Sequence, residues 1–240
     1  MTAGGITIEK ERIPVSKWTI VDLLGVVFCS FGGAVVFYIT LLELLGDNKT
    51  TFSLARYVGS LLTIFLPLFW IKKRYGLSKE ILGLRKGHLR MLSLVLIGIL
   101  PAIIYSFLLW MTPLWRSLPA LTNMKASDYY IYLILAPISI NGFATLVLTP
   151  ISEEVLDRGF IYGYLRRKLG IVFGLILQAL FFSLLHFDFM FNDAFFLISN
   201  KFFIGLILGI LYETTGSIYP SIVCHSIINY LAIVFSMKWM

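Results

Sequence analysis

LLGVVFCSFGGAVVFYITLL, residues 23–42, runs for twenty residues without a charge. An α-helix rises about 1.5 Å per residue, so this stretch matches the roughly 30 Å hydrocarbon core of a bilayer. Six further runs of similar character follow, at 52–71, 91–115, 129–151, 169–187, 194–212 and 214–237, interrupted only by Arg56 and Lys201. Lipid offers backbone groups no hydrogen-bond partner, so a spanning segment is either a helix or a strand of a closed barrel. These runs are too long and too uniformly apolar for the in-out alternation of a barrel strand. The expected fold class is all-α, a polytopic transmembrane helical bundle.

Composition agrees. Of the 240 residues 58% are hydrophobic and only 14% charged, with mean hydropathy +0.87, which is more apolar surface than a water-soluble domain can hide. The net charge of +7 raises the question of nucleic acid, and the placement of the charge argues against it. Fourteen of the twenty Lys and Arg fall in alternate connections: the leader, the stretch 72–90 and the group Arg158, Arg166, Arg167 and Lys168. That asymmetry predicts a cytoplasmic amino terminus and an external carboxyl terminus. The first run is longer than a secretory h-region and has no clear small-residue cleavage site, so it reads as a retained helix. Cys29 and Cys224 both lie in apolar runs and predict neither a disulfide framework nor a thiolate metal site.

With no internal repeat and no long polar linker, the chain divides into a leader, 1–17, and a single membrane domain, 18–240, whose core is about 129–240. The stretch 72–90 mixes Leu and Ile with Lys and Arg and suits either the headgroup region or an ordinary basic loop. Thr149 and Pro150 resemble an N-cap followed by proline at the first helical position. Either one helix kinks there and continues to about Arg167, or a new helix begins there; the total is accordingly seven or eight membrane helices.

Ionisable groups within hydrocarbon are costly and mark function by default. They gather in the last ninety residues. In SEEVLDRGF (152–160), Glu154 and Arg158 are spaced i,i+4 with the acid first, so they share a face and can pair. Glu153 is turned about 100° away and stays open to another partner, as a general base for activating water requires. The plainer alternative is that both acids merely complement a helix dipole. In FFSLLHF (181–187), Phe182 and His186 are i,i+4, and His186 alone would pass for a core residue bonded to its neighbour. In SIYPSIVCHSIINY (217–230), His225 and Asn229 are again i,i+4; both can donate to a developing oxyanion or stitch helices together. Their joint occurrence on three helices favours a catalytic reading: base, imidazole and oxyanion donors with few competing polar groups.

The sets EEVLDR, FSLLH and HSIIN, with LYETTGSIYPSIVCH and the earlier ILGL, resemble the CPBP, or Abi, family of intramembrane proteases, which includes type II CAAX prenyl endopeptidases and bacteriocin-related members. The resemblance is strongest over 136–229. It implies that Glu153 with His186 activates the hydrolytic water, that Glu154 and Arg158 support the site, and that His225 and Asn229 stabilise the tetrahedral oxyanion. One position departs from the pattern: similar proteins usually carry an apolar residue, often Phe, before the arginine, whereas this chain has Asp157, a third carboxylate placed to compete for Arg158.

Metal remains open at this level. Glu153, His186 and His225 could form a three-ligand zinc site with one position for water. The spacing is not HExxH, and a glutamate base helped by histidine, without metal, is favoured. His88, in the basic stretch, stands apart as a solvated or interfacial residue.

The expected activity is therefore intramembrane peptide-bond hydrolysis, on a membrane-associated peptide or protein, in a multi-pass protein of a prokaryotic plasma membrane whose partners are lipid and substrate but not nucleic acid. The main alternative is a non-proteolytic scaffold or bacteriocin immunity protein of the same fold. A proton-coupled transporter is a third, against which the lack of repeated, interrupted halves counts. One spatial difficulty accompanies the site. With straight helices His186 falls toward the outer end of the fifth run while Glu153 and His225 lie nearer the cytoplasm.

Overall fold

The computed structural model describes residues 17–86, 94–110, 140–186 and 194–237. Most of the leader, His88, the ends of the 91–115 run and the first part of the 129–151 run lie outside the described residues. The described chain is helical and contains no strand.

Helix α1 (Ile20–Leu45) starts at a capping box, in which Thr19 accepts from the Asp22 N–H and the Asp22 carboxylate accepts from the Thr19 N–H. Helix α2 (Lys49–Tyr75) is capped by Asn48 and carries Lys72, Lys73 and Arg74 in its last turn, where cations complement the helix dipole. α1 and α2 form an antiparallel pair closed at one end by Asp22. Its carboxylate accepts from the Trp70 indole at 2.9 Å and from the Tyr75 hydroxyl, and pairs with Arg74 at 2.8 Å. A 3-10 turn (Lys79–Leu82) follows, and helix α3 covers 94–110, beginning as a π-helical segment (Leu94–Ile99).

From Ile140 the backbone stays helical through Thr149 and Pro150; Thr149 has φ −61° and ψ −50°, and the Ser152 hydroxyl bonds back to its carbonyl. Over the described residues the chain therefore continues as one helix through Pro150 and does not begin a new helix there. Two segments of it, Ala144–Leu148 and Val155–Tyr162, are π-helical, a geometry that recurs at functional sites. The break comes later, at Gly170, whose φ of 79° and ψ of −179° lie in a region open essentially only to glycine. Gly170 divides this stretch into α4 (140–169) and α5 (171–185). Helices α6 (Ala194–Thr215) and α7 (Ile218–Met237) complete the described chain.

Position of the break resolves the depth problem. Glu153 lies seventeen residues before Gly170 and His186 sixteen after it. At about 1.5 Å per residue the two arms of the hairpin are nearly equal, so Glu153 and His186 reach the same level.

Stretches 20–45, 50–75 and 144–185 are long and apolar enough to cross a membrane. Their outward faces are strongly apolar; Phe28 is 77% exposed and Val172 and Phe173 each 65%, an arrangement suited to lipid and not to water. The interior is tied by side chains from distant parts of the chain. Trp18, fully buried, stacks on Phe160 at 4.8 Å and donates its indole N–H to the Phe160 carbonyl. Glu213 of α6 accepts from Tyr162 at 2.6 Å and from Arg166 through both oxygens at 2.9 and 3.0 Å.

Candidate active site

Helices α4, α5 and α7 bring Glu153, Glu154, Arg158, His186, His225 and Asn229 into one region. Glu154 is fully buried and its Oε1 meets two groups: Nη1 of Arg158 at 3.0 Å and Nδ1 of His225 at 2.9 Å. Arg158, also fully buried, lies 4.7 Å over the Phe182 ring and donates from Nη2 to the Gly205 carbonyl at 3.1 Å. That carbonyl also accepts from the Gln178 amide at 3.0 Å. A β-carbon at Gly205 would lie 3.2 Å from Ala179 Cα and Phe182 Cδ1, so glycine is what lets α6 come close enough to offer its backbone.

Asp157 does not displace Glu154. Its Oδ2 stays 3.9 Å from Arg158 Nη1, against 3.0 Å for Glu154, and its Oδ1 has no hydrogen-bond partner among the described residues.

Glu153 points the other way, with Oε1 3.8 Å from His186 Nε2 and Oε2 3.6 Å from His225 Nε2. Both separations exceed a direct hydrogen bond. Nδ1 of His186 lies 2.8 Å from the Phe182 carbonyl, the residue one turn earlier on α5. A carbonyl can only accept, so Nδ1 carries the hydrogen and the neutral ring aims the Nε2 lone pair at Glu153. The carboxylate of Glu154 likewise accepts from Nδ1 of His225, so that Nε2 of this ring also faces Glu153. Two imidazole Nε2 atoms thus converge on one carboxylate, and Phe182 packs against both rings at 4.6 and 5.9 Å. Asn229 donates one amide hydrogen to the Thr145 carbonyl at 3.1 Å, which leaves its second hydrogen for another acceptor.

Glutamate and two imidazoles are chemically suitable metal donors. Among the described residues no group of three His, Cys, Asp or Glu is drawn together tightly enough to mark a metal centre, and no step below passes through one.

Beside the cluster is a cavity of about 660 Å³ between α1, α2 and α4, whose wall includes Glu153, Asp157, His186 and Arg56. Arg56 donates to the hydroxyls of Thr145 at 3.1 Å and Thr149 at 3.5 Å. Sequence reasoning treated Arg56 only as an interruption of an apolar run; an arginine inside such a run was itself the signal. Gln178 and Gly205 were missed too, and nothing local to either residue announces that the Gly205 carbonyl receives both Gln178 and Arg158.

A family model described as type II CAAX prenyl endopeptidase Rce1-like matches residues 135–231. No curated protein and no solved structure matches the chain. The matched segment contains all six clustered residues, whereas α1 and α2, which build much of the cavity wall, lie before it. With its apolar spans, this is an integral membrane protein, and over residues 135–231, less than half of the chain, it is similar to the Rce1-like type II CAAX prenyl endopeptidases.

Proposed function

We propose that the protein is an intramembrane endopeptidase that hydrolyses a peptide bond near the end of a membrane-associated peptide or protein, with Glu153 as general base. The observation that carries this reading is the approach of Glu153 to two Nε2 atoms at 3.6 and 3.8 Å beside an enterable cavity.

Separations of that size suit a group held between the three side chains rather than direct contact. A water donating one hydrogen to Glu153 and the other to the His186 lone pair has its own lone pair turned toward a carbonyl in the cavity. Glu153 takes the proton as the oxygen attacks, and the carbonyl becomes a tetrahedral oxyanion. The free amide hydrogen of Asn229 is suited to stabilise it. Nε2–H of His225 is a second donor when that ring carries both protons, with Glu154 on one nitrogen and Glu153 on the other. Collapse breaks the C–N bond, and Glu153 passes its proton to the departing amine. Glu154 and Arg158, which face away from the cavity, hold His225 in place.

The concentration of basic residues in alternate connections supports a multi-pass topology with a cytoplasmic amino terminus.

The test is cleavage of an S-farnesyl peptide by purified protein in lipid nanodiscs. Glu153→Gln keeps size and removes the base, and should slow cleavage by about 10²–10⁴-fold. Cleavage at an unaltered rate would remove Glu153 from the chemistry. A cellular phenotype that persists unaltered in this variant would favour the scaffold alternative.

A further inference from the structure

Lys201 interrupts the sixth apolar run, and the packing of α6 against α5 fixes where it sits. A β-carbon at Gly205 would lie 3.2 Å from Phe182 Cδ1, and one at Gly209 would lie 2.7 Å from Gln178 Nε2. Four residues forward on α6 therefore match four residues back on α5, as for two antiparallel helices in contact along one face. One further step in this register sets Lys201 opposite His186. The charge of Lys201, a partly buried side chain, accordingly acts on both His186 and Glu153, from a helix outside the described cavity wall.

The other charges around Glu153 are already committed. Arg158 pairs with Glu154 at 3.0 Å and has Asp157 at 3.9 Å. Arg56 is bound by the hydroxyls of Thr145 and Thr149, eight and four residues before Glu153, which is about 6–12 Å along α4. His186 and His225 each turn Nε2 toward Glu153. Lys201 alone among these cations has no carboxylate within ion-pair distance and no hydroxyl partner among the described residues, so its ammonium is not tied to one place. A charge kept inside an apolar helix at that cost points to function.

Hydrolysis moves charge at this spot. As the water oxygen bonds to the carbonyl carbon, its proton passes to Glu153 and the carbonyl π pair becomes a lone pair on oxygen. One negative charge thus leaves the carboxylate and reappears on the substrate. Where water is scarce, separating that charge from a counter-ion is expensive. An ammonium on a flexible four-carbon stem can follow it, whereas the planar fork of Arg158 is fixed by its bonds.

Building on the protease reading, we propose that Lys201 is the counter-charge that serves Glu153 before attack and the oxyanion after it. α6 thereby joins α4, α5 and α7 in the chemistry.

Binding separates this proposal from hydrolysis. The probes are two fluorescent S-farnesyl peptides in which the amide after the modified cysteine is replaced, in one by a phosphinate, tetrahedral and anionic, and in the other by a hydroxyethylene group, tetrahedral and neutral. Both are titrated onto the protein in phosphatidylcholine nanodiscs. Charge-assisted hydrogen bonds correspond to about 10–100-fold in affinity. Lys201→Met should weaken the phosphinate by that factor and leave the hydroxyethylene peptide unchanged. Lys201→Arg, which keeps the charge should the methionine variant fail to fold, should retain part of the phosphinate affinity. In turnover of the amide peptide, Lys201→Met should lower kcat by about 10–100-fold with KM changed little, and Lys201→Arg should restore part of it. The melting temperature should not fall, because the methionine removes a charge that has no partner to lose. Equal effects of Lys201→Met on the two probes, including none, overturn the proposal, as does cleavage at the native rate, and either result leaves the protease reading intact. A fall in kcat that follows a fall in melting temperature and is not restored by arginine assigns Lys201 to packing and also overturns it. If phosphinate binding depends on Lys201 but the native protein cleaves nothing, the protease reading fails while Lys201 stands as an anion-binding group.

Discussion

Nδ1 of His225 and Oε1 of Glu154 lie 2.9 Å apart across seventy-one residues of chain, both side chains buried, and the same oxygen is 3.0 Å from Arg158. One carboxylate oxygen thus serves two partners on α4 and α7. Replacing Glu154 by Gln leaves Arg158 buried with only the more distant Asp157, 3.9 Å away, as counter-charge, and loss of one member of a buried pair costs about 3–5 kcal/mol. Thermal unfolding in detergent should fall accordingly. Arg158→Met in the Glu154→Gln background should cost much less than Arg158→Met alone, because the charge it removes has already lost its nearer partner. Additive losses in that cycle would show that the pair is not coupled.

Asn229 donates one amide hydrogen to the Thr145 carbonyl, and the proposed mechanism assigns the other to the oxyanion. Asn229→Ala should cost only about 1 kcal/mol in stability for the lost bond to Thr145. Cleavage should fall much further, about 10²–10³-fold in kcat with KM changed little. Steady-state kinetics read the split; a loss confined to KM would assign Asn229 to substrate binding.

Asp157 is a buried acid whose Oδ1 finds no partner among the described residues and whose other oxygen is 3.9 Å from Arg158. Such a group costs more by desolvation than a distant pairing returns. Asp157→Leu should therefore raise stability, by about 1 kcal/mol, with cleavage within about threefold of the native rate. A lowered melting temperature would mean that Asp157 holds the site together.

At Gly170 a β-carbon meets nothing within 4 Å, so the cost of Gly170→Ala is conformational and not steric. A non-glycine residue at this φ and ψ costs about 1–3 kcal/mol. The hairpin should loosen at its apex, with a lower melting temperature and weaker cleavage as Glu153 and His186 lose their common level. An unchanged melting temperature would show that the turn adopts another geometry.

Much of this was readable before any coordinates. Spacing alone put Glu154 with Arg158 and turned Glu153 aside, because i,i+4 geometry is local to one helix. The apolar runs announced helices because lipid leaves the backbone few choices. Thr149 and Pro150 were ambiguous because the same residues serve a helix start and a kinked interior; which one prevails depends on packing against α2 and α7. Gly170 was harder still, since LRRKLGIVF contains no proline or polar turn residue, and only the requirement that Glu153 meet His186 singles it out. Arg56 and Gly205 act across helices far apart in sequence, and a single chain read linearly carries no measure of that closeness.

Trp18 is bonded to the carbonyl of Phe160, 142 residues later and two positions past Arg158. Closing so long a span of chain is entropically expensive and comes late in assembly. The helix that bears Glu153 packs against Trp18 only after the chain has been synthesised beyond Phe160 and returned to its own beginning. On the protease reading, a half-finished chain in the bilayer should therefore be unable to cut what surrounds it.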